Sequence, residues 1–361
     1  MKHSCIFIIV CFLFNAGLQA QNEYVKPRKL LMDGIEYHDK GEYSKAIEAY
    51  EKINRNDSVY QLALYERAMS YSALEKYDKA VDVLNELLAE SDTTSQMLIV
   101  LASALDDMEK HAEAQALYLK VVNKQPYNQN AWYNLGLSYY NDKQYSKAET
   151  CFINSIKLKP WHFRSNLILG LTNAKMGRPV HALACLNMAA LINAGDQFGH
   201  LALQEYEKFV HGEYDAEIEA DKYPTPDSLT TDKIRALEPI IISQVLQTKK
   251  IKMPSKNPMT ITKYNYVIFS ELPAGREGNN LYTAYYFPFL RSVLDKGYFD
   301  VYSYFITSSV NNKSIIKYNA TKKAKLKVFS DWMIKELQKY FSSPVFRPNN
   351  VDYAYSDGEL S

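Results

Sequence analysis

No histidine and no cysteine follows residue 211 in this 361-residue chain. The C-terminal stretch therefore holds no zinc site of the usual His/Cys kind. It also holds no Ser–His or Cys–His nucleophile pair of its own. Carboxylates remain there, at Glu271, Glu277, Asp295, Asp300 and Asp331, but their spacing singles out no pair for glycosidase chemistry. Ala274 to Gly278 carries glycines without the Lys-Ser/Thr of a phosphate loop and reads as an ordinary loop. No catalytic, cofactor-binding or metal-binding residue is assigned, no cofactor is expected, and the chain reads as a non-enzyme.

Cysteine is scarce throughout, with four in all. Cys5 and Cys11 lie in the one pronounced apolar run, Cys5 to Phe14, which follows Lys2 and His3 and precedes Gly17-Leu18-Gln19-Ala20. Residues 1–20 read as a secretory signal peptide cut after Ala20. The run is too short for a spanning helix, and no later segment is a better candidate. Neither cysteine has the small-residue context of a lipoprotein cleavage site. The expectation is an exported mature protein of about 340 residues that is not an integral membrane protein. Cys151 and Cys185 would survive cleavage. They stand at equivalent points of neighbouring helices, roughly 8–10 Å apart, beyond disulfide reach of about 7 Å, so both read as buried apolar residues.

Net charge is only +1, but it is unevenly spread. Residues 22–195 carry −1, residues 196–250 carry −5 around Glu213 to Asp221, and residues 251–361 carry +6. Lys322, Lys323, Lys325 and Lys327 cluster at the expected start of a helix, where the dipole disfavours cations. Export argues against nucleic acid as their partner. A solvated face, an acidic partner, a lipid headgroup, or docking of the chain's own acidic stretch at 213–221 on the basic C-terminal region stay open.

The abundant signal is periodic. Ala46, Ala80, Ala114, Ala148 and Ala182 stand 34 residues apart without a slip. Gly34, Ala68, Ala102, Gly136 and Gly170 keep the same period upstream, and Tyr50, Leu84, Tyr118, Phe152 and Leu186 keep it downstream. Small, small, then large at this period marks a helix–turn–helix solenoid. In Gly136 to Phe152 one helix runs from about Asn130 to Asn141, a turn follows at Asp142 to Gln144, and a second helix runs to Leu158 before Pro160. The small residues mark the close crossing, so Ala148→Leu should overpack it by roughly 1–3 kcal/mol.

These columns resemble the tetratricopeptide repeat (TPR) family. Repeat four carries Trp132, Leu135, Gly136, Tyr139, Ala148, Phe152 and Pro160 in the family's spacing, and the other repeats carry subsets. Repeat five departs most, with Asn173 where an aromatic is usual and Pro179 in the first turn of its second helix. Tyr285-Tyr286-Phe287-Pro288-Phe289 and Phe329-Ser330-Asp331-Trp332 also resemble exported repeat proteins of Bacteroidota. The resulting fold expectation is mainly α. A TPR α-solenoid of about five repeats, 27–60, 61–94, 95–128, 129–162 and 163–196, fills residues 21–195. Capping helices and linker follow at 196–250, an aromatic-rich C-terminal domain at 251–345, and a flexible tail at 346–361.

The C-terminal domain reads as helical or α+β. Its thirteen Tyr and Phe residues from Tyr264 to Phe305 suit a small core. A strand is expected at Tyr264 to Ser270, and a helix at Leu281 to Lys296 despite Pro288. A further helix is expected over Ala320 to Tyr340, with Leu326, Phe329, Met333, Leu337 and Tyr340 as its apolar stripe. A cap over the last repeat is expected from Gln197 to Val210 through Leu201, Leu203, Tyr206 and Phe209.

In TPR folds the first helices line a concave groove. The resemblance thus nominates Tyr65 and Met69 on repeat two, and Asn130, Tyr133, Asn134, Leu137, Tyr140 and Asn141 on repeat four. On repeat five it nominates Arg164 and Lys175, beside Leu167 and Leu171. Tyr, Asn and Arg suit an extended peptide, because they bury area yet keep polar handles. Tyr133 and Tyr140 fit ligand contact and inter-repeat packing equally. Ile99, Ser103 and Ile168 lack the charge or amide of the family's carboxylate clamp, so none is expected. The leading expectation is an exported protein–protein interaction scaffold holding a peptide or protein partner in the groove. It would work in the periplasm, or on the periplasmic face of the outer membrane of a Gram-negative bacterium, with an outer-membrane component as a further partner and no nucleic acid. The alternative is a glycan-binding accessory protein that uses the aromatic C-terminal domain.

Overall fold

The computed structural model describes residues 26–211, 213, 253–275 and 280–341. The leader, most of the acidic stretch, the rest of the expected cap-and-linker segment through residue 250 and the C-terminal tail lie outside the described residues. All regular structure among the described residues is helical. The chain divides into two compact units, Met1–Gln125 and Pro126–Ser361.

The first unit holds three helix pairs: α1 (26–39) with α2 (Tyr43–Tyr50), α3 (Tyr60–Ala73) with α4 (Tyr77–Glu90), and α5 (Ser95–Asp107) with α6 (His111–Lys124). The second unit opens with two more pairs, α7 (Gln129–Asn141) with α8 (Tyr145–Leu158) and α9 (Phe163–Lys175) with α10 (Pro179–Ile192). Within each unit these pairs are arranged as in a TPR-type α-solenoid. All five column alanines are completely buried. The glycine column is explained by the large residue sixteen positions on. A Cβ on Gly136 would stand 2.8 Å from the Phe152 ring, one on Gly34 2.3 Å from the Tyr50 ring, and one on Gly170 2.9 Å from Leu186 Cγ. The glycines thus make room chiefly for the third column, where the sequence had suggested the alanine crossing.

Each helix pair turns at the same point of the repeat. Gly41, Glu75, Glu109, Lys143 and Gly177 all have positive φ, between 58° and 76°. The next residue's N–H reaches back to the first helix, as in Glu42 N to Tyr37 O (2.8 Å), Lys76 N to Tyr71 O (2.9 Å) and Gln144 N to Tyr139 O (2.8 Å). This is the Schellman closure, which satisfies carbonyls the helix end leaves open.

α11 (Gln197–Val210) covers α10, with Asp196 capping its start by accepting from the N–H groups of Phe198 and Gly199. Leu203 and Tyr206 are buried in the seam, whereas Leu201 points to solvent, contrary to expectation. The helical stripe of this segment passes through Ala202, Leu203 and Tyr206, one position off Leu201.

The C-terminal part is formed by α12 (Thr260–Glu271), a π-helical turn at Tyr282–Tyr286 that runs into α13 (Phe287–Asp295), α14 (Phe299–Ile306), α15 (Lys313–Thr321) and α16 (Lys323–Phe341). The expected strand at Tyr264 to Ser270 is corrected to helix. Ile261, Thr262, Asn265, Ile268, Phe269 and Leu272 are buried together, a three- and four-residue rhythm that only a helix gives. Pro288 is accommodated because the π-turn precedes it. Phe287 N–H bonds back five residues to Tyr282 O, and the proline falls in the opening turn of α13, where its missing N–H is harmless. Ala320 and Thr321 end α15 and do not begin α16, but Phe329, Met333 and Leu337 form the buried stripe as expected.

α10 is buried on every side from Val180 to Leu191. α9 and α11 flank it, and the π-turn and α14 cover the rest. A helix without a polar face requires such complete cover.

Candidate partner-binding site

In the second unit the C-terminal helices and the repeats meet through polar groups. Asn166 stands 34 residues after Trp132, and Asn173 stands 34 after Tyr139, so repeat five lacks both aromatics of repeat four. Trp132 Nε1 donates to Pro126 O (2.8 Å), and Asn166 Nδ2 donates to Pro160 O (3.2 Å), which is the same bond one repeat later. The smaller asparagine leaves space, and Tyr286 fills it, its hydroxyl donating to Asn166 Oδ1. Tyr282 fills the space at Asn173. Its hydroxyl accepts from Asn173 Nδ2 (2.8 Å) and donates to Glu149 Oε1 (2.9 Å). Glu149 Oε2 accepts from Arg178 at 2.8 Å in a buried ion pair, and His181 stands edge-on to Tyr282 with ring centroids 4.5 Å apart.

A second knot lies beside α10. Asn187 and Asn265 exchange two hydrogen bonds of 2.7 Å, while Tyr302 donates to Asn187 and Tyr206 donates to Asn265. Burial raises the hydroxyl pKa of Tyr206, Tyr282, Tyr286 and Tyr302 well above the usual phenol range, so all four act as neutral donors. Cys151 and Cys185 are free and buried, as expected, and burial pushes both thiols up and away from reactivity.

The nominated face of α7 and α9 lies outside this cover. Asn130, Asn141 and Arg164 are exposed, and Tyr133, Asn134, Leu137, Tyr140 and Lys175 are half-buried. Tyr133 packs edge-on to His162 at 5.0 Å and leans on Phe152 at 6.1 Å. Burial raises its hydroxyl pKa, and a hydrogen bond and the charge from Arg164 partly offset that. Tyr133 and Arg164 therefore form one unit. His162 caps α9, accepting from Ser165 N, and a hydroxyl relay ties it back: His162 Nδ1 to Ser165 Oγ (2.7 Å), Ser165 Oγ to Ser155 Oγ (2.7 Å), Gln129 Nε2 to Ser155 Oγ (2.7 Å). Tyr140 rests edge-on against Tyr145 at 5.5 Å. Both tyrosines thus pack within the unit while keeping part of their surface open. Tyr65 and Met69 belong to the first unit, both half-buried, with Gln96 Nε2 donating to the Tyr65 hydroxyl at 3.2 Å.

Three of the C-terminal carboxylates have partners. Asp295 pairs with Arg291 at 2.9 Å, Asp300 accepts from the Tyr318 hydroxyl at 2.9 Å, and Asp331 pairs with Lys327 at 3.2 Å. Arg291, Asp295 and Asp300 line a cleft of about 320 Å³. Glu277 lies outside the described residues. Among the described residues no three His, Cys, Asp or Glu side chains gather as metal ligands. Of the thirteen C-terminal aromatics nine are buried and four, Tyr264, Tyr266, Tyr298 and Phe305, are half-buried.

Sequence reasoning found the repeat-five gap at Asn173 but not its occupant. The signal was present: the unbroken apolar run of α10 needed cover on a side where an ordinary repeat meets water.

The chain is similar to known repeat proteins over part of its length. The family described as "Psidin, N-terminal TPR repeats region" matches residues 35–162. Among solved structures, MamA from AMB-1 is 22% identical, with 50% of this chain and 97% of that chain covered at a TM-score of 0.40. YrrB, titled "a TPR protein with an unusual peptide-binding site", is 21% identical, with 54% and 97% covered at a TM-score of 0.43. No curated protein matches the sequence. Residues 35–162 thus match a TPR family model, and no helix among the described residues is long and apolar enough to cross a membrane.

Proposed function

We propose that this chain is an exported, non-enzymatic interaction scaffold whose α7–α9 face holds an extended peptide segment or protein surface. One observation carries the reading. The C-terminal helices cover α10 and the Asn166 and Asn173 positions, yet leave Asn130, Tyr133, Asn134, Arg164 and Lys175 open or half-open. That face is built in advance, since Arg164 is joined to Tyr133 and Tyr133 is braced by His162. A fixed Tyr–Arg pair flanked by amides loses little freedom on binding.

Residues 1–20 support export, and the setting in this reading is the periplasm or the periplasmic face of the outer membrane. An envelope protein is the partner class.

The test is quantitative crosslinking of the mature protein in its native envelope, read by mass spectrometry. Tyr133→Ala, Asn134→Ala and Arg164→Ala together should remove the dominant crosslinked partner while the melting curve stays cooperative. A partner retained in full by the triple variant rejects the site. Export is checked separately. The purified native protein should begin at Gln21, and a chain that keeps residues 1–20 in the cytoplasm rejects that part.

A further inference from the structure

We propose that α15 and α16 form a docking face for an anionic lipid surface, a role beyond the partner face of α7 and α9 and independent of it. Between residues 313 and 341 there are eight lysines against two carboxylates. Both carboxylates are already paired, Asp331 with Lys327 at 3.2 Å and Glu336 with Lys339 at 2.7 Å. Lys313, Lys317, Lys322, Lys323, Lys325 and Lys335 have no ion pair among the described residues, and all are exposed.

The lysines alone would mark any polyanion. Three large apolar side chains standing in water among them favour lipid: Ile316 at 52% exposure, Val328 at 58% and Ile334 at 42%. On α15 the exposed face runs Lys313, Ile316, Lys317, Ala320, while Ile315 is fully buried on the other side. A membrane interface takes apolar side chains below the headgroups while lysine stems reach back to the phosphates. A polyanion such as polyphosphate offers no such apolar layer.

The face is held rigid from behind. Tyr318 stacks on Tyr304 with ring centroids 3.7 Å apart and planes 2° from parallel, and its hydroxyl donates to Asp300 at 2.9 Å. Phe329 anchors α16 among Tyr298, Tyr302 and Phe305. Lys323 and Lys325 occupy the first turn of α16, where the helix dipole opposes cations. A bound headgroup phosphate turns that local cost into attraction.

The experiment is co-sedimentation of the mature full chain with phosphatidylcholine vesicles, with and without phosphatidylglycerol. Binding is expected only with phosphatidylglycerol, and salt should weaken it. Lys317→Gln, Lys322→Gln, Lys323→Gln and Lys325→Gln together should lower partitioning by at least about tenfold. Ile316→Ser with Val328→Ser should also lower it, although net charge is unchanged. These positions are exposed, so melting curves should match the parent. No binding to phosphatidylglycerol vesicles, or binding indifferent to the lysine variant, overturns the proposal. Binding untouched by Ile316→Ser and Val328→Ser but displaced by polyphosphate also overturns it, and assigns the face to an acidic macromolecule. None of these readouts depends on a partner at Tyr133 and Arg164.

Discussion

Tyr286 and Asn166 together occupy the place that Trp132 fills alone one repeat earlier. Asn166 keeps the hydrogen bond to the carbonyl of the preceding proline, and Tyr286, 120 residues further along the chain, supplies the ring and a bond to Asn166 Oδ1. The last repeat is thus completed by the C-terminal segment, and the two parts of the second unit fold as one.

Removing the ring should therefore unfold more than the C-terminal helices. Tyr286→Ala empties a fully buried aromatic site and is expected to cost about 3–5 kcal/mol. Tyr286→Phe keeps the ring but strands the buried Asn166 oxygen, at about 1–3 kcal/mol. Urea unfolding followed by circular dichroism measures both. A coupled second unit loses its repeats and its C-terminal helices in one transition. Two separated transitions in Tyr286→Ala would contradict that coupling.

The buried ion pair of Glu149 and Arg178 gives a second test. Glu149→Gln retains an acceptor for the Tyr282 hydroxyl but leaves the Arg178 guanidinium without its countercharge in a dry site. The expected loss is about 3–5 kcal/mol, as for other broken buried pairs. Arg178→Met combined with Glu149→Leu should recover much of it, because neither residue then brings a charge inside. The midpoints of urea curves for the parent and the two variants decide this.

How much of this was legible follows the range of the interactions. The five repeats were readable because each reports itself: Ala148, Gly136 and Phe152 are local, and the period repeats them. The cap at Gln197 to Val210 was readable because Asp196 starts it and the stripe through Leu203 and Tyr206 is local as well. The strand expected at Tyr264 to Ser270 misled because β-branched and aromatic side chains favour strands in isolation, whereas the burial of Ile261, Asn265 and Ile268 was set by distant helices. The pairing of Tyr282 with Asn173 and Glu149 spans more than a hundred residues, and no local pattern encodes it. At the candidate site, Tyr133 and Arg164 were each nominated, but the brace from His162 through Ser165 and Ser155 was not. It joins three helices and has no period.

The turns offer a stabilising change. Glu75, Glu109 and Lys143 hold φ near 60° at the point where repeats one and five use glycine. A side chain there costs roughly 1–2 kcal/mol, and glycine gives back part of the gain through its freer unfolded chain. Lys143→Gly should thus raise stability by about 0.5–1 kcal/mol, and Gly177→Ala should lower it by about 1 kcal/mol or more. Thermal melts of the two variants should shift in opposite directions.

The last prediction concerns pH at the candidate site. Burial lowers the pKa of His162 below the ordinary imidazole value of about 6.5, and the nearby charges of Lys159 and Arg164 push it the same way. Its neutral ring caps α9 and braces Tyr133. As pH falls below 6.5 the unfolded chain takes up this proton before the folded one does. Stability therefore declines from that point and stops declining only when the folded state is protonated too. The measurement is a difference between parent and variant. His162→Asn retains a capping side chain without the titration. Its urea midpoint should fall less steeply between neutral and mildly acidic pH than that of the parent. If Tyr133 is positioned through this ring, the parent's crosslinking at Tyr133 and Arg164 should weaken over the same range while the chain remains folded. Identical pH slopes for parent and His162→Asn would remove His162 from both roles.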